Sequence, residues 1–384
     1  MVRMRPAGLG LVALAVVCAV IAWTGAAHAG WARVQEVTSP AQVEDAAGEE
    51  RELVPGMEMG PGDTVSTGAG GHALLVLDDG SSLELFEETV LELNLVLAGE
   101  DEGLSFMQHL GHMAADIVGL ESPDLVVTPC MVIGIRGTKF TVSVAEDGAS
   151  AVSVQQGEVS AATESLTGES SAAEVAAGRE VLLERPGEAI RLRERRILAP
   201  SDWDEEREAR LMAMLPHLPE RLSQAPGKAR EIFGRMQELA AELPGHVAAM
   251  QDLKAQLEAM DQERSARRTA LRAALAKEAV SAMAKARRLR VLGGELRAMF
   301  VRARRLGQVL PQHEAELGAE YGAVMEDVAR MESLRMELAP QAQELMLGVR
   351  DTLAPVREQL LRAARLLGRE QRGMAAERGG VANQ

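Results

Sequence analysis

The sequence predicts a multi-domain chain of α and β structure: an N-terminal all-β sandwich or roll, then an all-α, partly coiled-coil region. Three observations predict it. Up to residue 198, short apolar runs alternate with period two and are cut by turns rich in Gly, Pro and Asp. Beyond residue 200 the alternation stops and apolar residues recur at heptad spacing. The charge breaks at the same place: residues 30–202 carry 10 basic and 31 acidic side chains, residues 203–384 carry 29 and 26. A length of 384 residues suits two or three domains, with expected bounds 1–29, 30–198 and 199–384. Hydrophobic residues make up 47% of the chain and aromatics only 2%, so its cores are aliphatic.

Residues 1–29 read as an export signal. Arg3 and Arg5 supply the positive start, residues 9–22 an uncharged apolar stretch, and Ala27-His28-Ala29 a small-x-small cleavage site. Cleavage before Gly30 places the chain in the periplasm. The alternative is an uncleaved inner-membrane anchor, since residues 7–27 are 21 positions without a charge. Val16 and Val17 before Cys18 are too bulky for a lipoprotein signal. The mature chain keeps only Cys130, which excludes an internal disulfide and suggests a buried thiol.

Strands are expected at 73–77, 82–86, 90–96 and 125–127, with Asp78-Asp79-Gly80 turning the first pair. Leu91, Leu93 and Leu95 alternate with Glu92 and Asn94, so that strand has one wet face. Residues 128–159 are the most ordered text. Thr128-Pro129 favours extended backbone. Met131, Ile133 and Ile135 then alternate on odd positions, Phe140, Val142 and Val144 on even ones. The count must slip between them, and a β-bulge is expected at Arg136-Gly137-Thr138. Asp147-Gly148 turns the next hairpin. A two-residue loop would set Val142 opposite Ser153. An odd loop centred on Gly148 would set it opposite Val154 and keep the valines on one face, which is the preferred register.

Thr128-Pro129, then Gly134-x-Arg136-Gly137-Thr138-x-Phe140, then the Asp147-Gly148 hairpin, then Val152-x-Val154-x-x-Gly157-x-Val159 resembles the FecR domain. This is a bacterial extracytoplasmic β module named after regulators of iron uptake. Residues 62–68, 77–81 and 177–181 also fit its pattern, and the resemblance covers roughly residues 31–198. It implies the same all-β fold. Residue chemistry gives the motif a structural role: Gly134, Gly137, Gly148 and Gly157 set backbone geometry, Thr138 is turn chemistry, and Arg136 is a charge held by nearby oxygens. The regulators that name the family look like a cytosolic anti-sigma region, a membrane span and this module. Only five residues precede Pro6 here, so no sigma-binding region and no iron-uptake role are expected.

Residues 163–177, rich in Ser, Glu and Ala, read as a loop, and strands are expected near 179–184 and 189–193. Ser201 is a candidate helix N-cap with Asp204 three residues on. Pro216, Pro219, Pro226 and Pro244 cut the first helical text into short pieces. Residues 246–309 run without proline, and would span about 95 Å if continuous. Met250, Leu253, Leu257 and Met260 form one heptad block; Leu289, Leu292, Leu296, Met299, Ala303, Leu306 and Leu310 form another, in a different register. Helical hairpin arms or an interrupted coiled coil are expected. Helices resume at 312–338 and 340–373.

Two clusters carry possible chemistry. His109 and His112 with Asp116 suggest a metal, but Gly111 makes this a turn into a strand, where the two rings diverge. Residues 264–305 hold 13 basic and two acidic side chains. Arg264, Arg267, Arg268, Arg272, Arg287, Arg288, Arg290, Arg302, Arg304 and Arg305 could dock a polyanion, or the chain's own acidic β part, or form a solvated face. An exported chain has little access to nucleic acid, so none is expected; membrane contact stays open. No nucleophile elbow, zinc-protease helix, phosphate loop or dinucleotide glycine pattern occurs. The expectation is a non-enzymatic envelope protein without cofactor. Its β part would dock an unidentified envelope protein or cell-surface polymer, and its helical part would act as a spacer or self-association arm. The alternative is an anchored ligand sensor in signal transduction; a cell-wall-active enzyme ranks third.

Overall fold

The computed structural model describes residues 32–45, 49–98, 101–118, 124–135, 137–164, 170–196, 199–259, 266–357 and 359–360. The export signal and its anchor alternative lie outside these, as do Arg136 and Arg264. The strands are β1 (Ala32–Thr38), β2 (Ala41–Glu44), β3 (Glu50–Glu52), β4 (Glu58–Met59), β5 (Thr64–Thr67), β6 (His72–Leu77), β7 (Ser82–Leu85), β8 (Val90–Ala98) and β9 (Asp101–Asp116). They continue as β10 (Asp124–Val127), β11 (Val132–Ile135), β12 (Lys139–Val144), β13 (Ser150–Gln156), β14 (Glu158–Glu164), β15 (Ser170–Ala176), β16 (Arg179–Leu183) and β17 (Arg193–Glu194). The long helices are α1 (Pro200–Met214), α2 (Leu218–Glu258), α3 (Ala266–Val309) and α4 (Tyr321–Leu353).

The strands pair into two layers that share β9. One layer runs β4-β1-β6-β7-β9-β12-β13-β16-β17. The other runs β3-β2-β5-β8-β9-β10-β11-β14-β15. Period-two alternation turns one face of each inward. Leu75, Leu83, Val142 and Val152 of the first layer meet Val65, Leu91, Ile133 and Val159 of the second in one aliphatic core.

β9 changes layers at Gly111, whose φ is +90° and whose Cβ would lie 2.4 Å from Thr89. His109 and His112 therefore sit inside a long bent strand, not in a turn. The bulge expected at 136–138 is also corrected. β11 bonds β10 and β14, whereas β12 bonds β9 and β13, so the slip in count is a crossing between layers. Gly157 and Ala177-Gly178 make the same crossing beside it. Ala177 N–H donates to Gly157 O at 3.0 Å, and Gly178 N–H to Val154 O at 2.9 Å.

In the next hairpin Val142 faces Val152 and Phe140 faces Val154. The apolar face is the one the sequence favours, but the pairing differs by two residues, because the loop centres on Asp147. Ala145 and Ala149 close it, and Asp147 accepts from Ala149 N–H at 2.9 Å.

Other expectations are revised. Of the loop expected at 163–177, residues 165–169 lie outside the described residues, but 163–164 and 170–176 are paired strand, Val159 opposite Val175 through Glu164 opposite Ser170; small residues of weak strand propensity hide it. Around 189–193 only β17 forms. The N-cap of α1 is Ala199 rather than Ser201, and the carboxylate three residues on is Asp202 rather than Asp204, accepting from Ala199 N–H at 2.8 Å. Pro226 and Pro244 lie inside α2, and Pro340 inside α4. Each removes a backbone bond, but α2 is held by Ile232, Phe233, Met236, Leu243 and Met250 in the bundle core.

α2 and α3 are antiparallel, as the pairs His246–Glu278 (2.7 Å), Lys285–Glu242 and Lys228–Glu295 (3.2 Å) show. α4 completes a three-helix bundle. The stripe Leu289, Leu292 and Leu296 is buried within it against Met236, Met331 and Leu334. Leu306 and Leu310 join a second cluster with Leu211 of α1 and Val324 and Val328 of α4. Trp203 of α1 is fully buried on the β layers against Ala145, Ala151 and Leu182. Among the described residues no helix is long and apolar enough to cross a membrane.

Candidate functional site

β8 points Leu91 and Leu93 into the core, so Val90 and Glu92 face outward. β2 does the same with Val43 inward and Gln42 and Glu44 outward. This outer face is acidic, and α3 lies across it. Arg290, Arg297 and Arg304 are seven residues apart, which puts them on one side of the helix, flanking its leucine stripe.

Arg297 reaches two strands at once, Glu44 Oε1 at 2.9 Å and Glu92 Oε2 at 3.3 Å. Arg304 lies 3.8 Å from Glu50. Arg305 bonds Glu88 at 2.8 Å and Glu146 at 3.5 Å. Glu88 holds a positive φ of 58° at the turn into β8. Glu146 sits in the β12–β13 hairpin and also meets Arg207 of α1 at 3.6 Å. Arg210 reaches Asp147 at 3.2 Å and Glu184 at 3.3 Å. Burial raises the Glu88 carboxyl above its ordinary value, an effect opposed by Arg305.

Where α3 comes nearest the strands, Gly293-Gly294 replaces bulk. A Cβ on Gly294 would lie 2.7 Å from Met107 Sδ, and one on Gly293 would lie 3.4 Å from Met236. Beside this contact the two parts stand apart and leave a cleft of about 1040 Å³. Its β wall carries Glu44, Glu50, Glu88 and Glu92; its helical wall carries Arg290, Arg297, Arg304 and Arg335. Met107, Phe300, Val301 and Met346 supply apolar surface. Burial pulls the Arg290 guanidinium down to about 10, against the pull of Glu92.

The other arginines singled out from the sequence lie elsewhere. Arg267 and Arg272 are exposed near the start of α3, and Arg268 and Arg288 are half-buried. Arg287 is within α3. Arg302 packs over the hairpin turn, its Cζ 3.6 Å from where a Gly148 Cβ would be. Arg297, Arg207 and Arg210 were not singled out. The seven-residue spacing with Arg290 and Arg304 is the signal that would have found Arg297.

The motif residues lie in corners and core. Thr128 Oγ1 accepts from Met131 N–H at 3.1 Å, closing a turn after Pro129. A Cβ on Gly134 would lie 2.5 Å from Ser160 Oγ, and one on Gly157 would lie 2.7 Å from Thr138 Cγ2. Phe140 is in the core. Cys130 Sγ donates to Gly148 O at 3.2 Å, and burial pushes the thiol up to about 11, which keeps it unreactive. The histidine rings diverge: His109 bonds Glu92 at 3.1 Å and His112 bonds Ser143 at 2.7 Å. Burial lowers both, His112 to about 4. Among the described residues no three His, Cys, Asp or Glu side chains converge as metal ligands would.

Residues 63–160 match the family model described as FecR protein. No curated protein matches the chain. Two crystal structures of a candidate anti-sigma factor from Parabacteroides distasonis ATCC 8503, at 2.50 and 1.65 Å resolution, are similar at 20% identity. Each similarity covers 34% of this chain and 59% of that one, with TM-scores of 0.28 and 0.29.

Proposed function

Taking as premise the FecR domain that the chain carries at residues 63–160, we propose a non-enzymatic envelope protein that binds a small ligand between its β layers and its helical bundle. The cleft of about 1040 Å³ carries this reading, because its two walls belong to the two parts of the chain. Clefts between domains are where ligands are commonly held, and this one has apolar surface with a few placed charges. A ligand there touches both walls, so its occupancy changes how firmly they are held together. That gives the FecR domain a signal to transmit, and favours sensing over a passive spacer. The bounds 30–198 and 199–384 then describe a sensor half and a reporter half, outside the cytosol, either freed near Ala29 or anchored by the apolar segment.

The test is native mass spectrometry of the full chain after exposure to an envelope small-molecule extract. Val301→Trp fills the cleft from a half-buried position. A mass retained by the wild type and lost from a folded Val301→Trp supports the reading. No retained mass, or the same mass on both, overturns it.

A further inference from the structure

We infer that the cleft takes an uncharged amphiphile, one molecule per chain: a flexible apolar chain with a hydroxyl-bearing head. The inference rests on the ligand-binding reading above and adds the chemistry of the ligand. The charges of the two walls already match one another. Glu44 and Glu92 share Arg297 at 2.9 and 3.3 Å, and Glu92 also meets His109 at 3.1 Å. Arg304 lies on Glu50 and Arg305 on Glu88. On the helical wall Arg335 holds Glu332 at 2.7 Å and Arg350 holds Asp351 at 3.1 Å. Arg290 and Asp45 are engaged as well. Among the described residues, no charged side chain lining the cleft is left over for a ligand. A charged head would leave water for a place whose charges are satisfied, or would have to break one of these pairs.

The surface that remains is apolar or polar without charge. Gly293-Gly294 removes two side chains from α3 where Met107 of β9, Met236 of α2 and Met346 of α4 meet it. Unbranched thioethers adapt their shape to a flexible chain, as stiff β-branched residues do not. Phe300 and Val301 of α3 extend this surface, with Leu347 of α4, which is 38% exposed. The uncharged polar groups line the β wall. Ser66 of β5 stands opposite Gln42 of β2 and Val90 of β8, and Thr64 stands opposite Glu44 and Glu92. Directly opposed residues share a face, so all three of Gln42, Thr64 and Ser66 belong to the cleft side. Thr64 is 3% exposed, and its Oγ1 has no hydrogen-bond partner among the described residues. Gln308 adds an amide on the helical side, about 21 Å along α3 from Gly294. Hydroxyls and amides donate and accept without charge, which suits a hydroxylated head.

Isothermal titration of the full chain tests this with four probes: monolauroylglycerol, dodecyl phosphate and dodecyltrimethylammonium, all below their micellar concentrations, and glycerol as the head alone. Monolauroylglycerol is expected to bind at one per chain. The anionic and the cationic chain should each bind at least about tenfold more weakly, and glycerol should not saturate. Val301→Trp should weaken monolauroylglycerol about tenfold or more. Glu50→Gln releases Arg304, and should strengthen dodecyl phosphate severalfold while leaving monolauroylglycerol unchanged. The three heads compared on the wild type decide the matter even where a variant does not fold. A charged chain that binds as tightly as monolauroylglycerol, and is weakened by Val301→Trp, overturns the uncharged head and leaves the cleft standing. Binding of no chain, or equal binding of monolauroylglycerol by a folded Val301→Trp, overturns the cleft as well. No gain for dodecyl phosphate in Glu50→Gln would show that paired charge is not what excludes a charged head, and contradicts the inference.

Discussion

Arg305 donates to Glu88 at 2.8 Å, with side chains only 13% and 10% exposed, and this pair joins the bundle to the turn that starts β8. Glu146, 3% exposed, shares the same guanidinium. Removing one partner of a buried pair leaves charge without compensation. Arg305→Met should therefore cost about 3 kcal/mol, seen in urea unfolding, and Arg305→Lys should cost less. An Arg305→Met chain as stable as the wild type would show these pairs to be solvated surface contacts.

Gly157 tests the stacked layer crossings. Its φ is +83°, and a Cβ would be 2.7 Å from Thr138 Cγ2 and 3.0 Å from Gly137 O. Gly157→Ala should cost about 2–4 kcal/mol, from strain and collision together. Gly56 has the same backbone sign with open space around it, so Gly56→Ala should cost only about 1 kcal/mol. Equal losses in thermal melts would remove the packing part of the argument.

His112 makes stability depend on pH. Its folded value is depressed to about 4, so the unfolded chain binds the extra proton between about 4 and 6.5. Stability is then whole above pH 6.5 and is lost as pH falls toward 4, by about 2 kcal/mol at pH 5. His109 acts in the same direction. Glu88, raised by burial, acts oppositely as pH falls from its raised value to the ordinary carboxylate range. His112→Asn should flatten the fall in melting temperature between pH 7 and 5; an unchanged slope would assign the fall to other groups.

Trp203 bears on where the β part ends. It caps Ala145, Ala151 and Leu182, and Arg207 and Arg210 follow it onto Glu146 and Asp147. A fragment of residues 30–214 should melt several degrees above one of residues 30–198, since burying a large aromatic is worth about 3 kcal/mol. Equal melting temperatures would confine α1 to the bundle.

Much of this fold was legible because it rests on local pattern. Alternation located β6, β7, β8 and β10, and the glycines and Thr-Pro of the motif marked turns and corners. The wet face of β8, read from Glu92 and Asn94, is the face that α3 covers at Glu92. What escaped was decided at long range. The slip at 136–138 looks like a bulge until β11 and β12 are seen to have different neighbours. Pro226 and Pro244 break an isolated helix but not one clamped by a core. The serine- and alanine-rich β14–β15 pair has little propensity of its own. The excess of arginine in α3 was plain, yet its target depends on three acidic elements, around Glu44, Glu92 and Glu146, far apart in sequence.

The central claim is that the arginines of α3 hold the bundle on the β layers around the cleft. Small-angle X-ray scattering of the full chain tests it most directly. At 0.15 M salt, where exposed charges interact over only about 8 Å, the wild type should give the docked profile. The Arg297→Glu/Arg305→Glu double variant should keep its circular dichroism and scatter as an opened, longer particle. An opened wild type at that salt, or a double variant as compact as the wild type, would contradict the account.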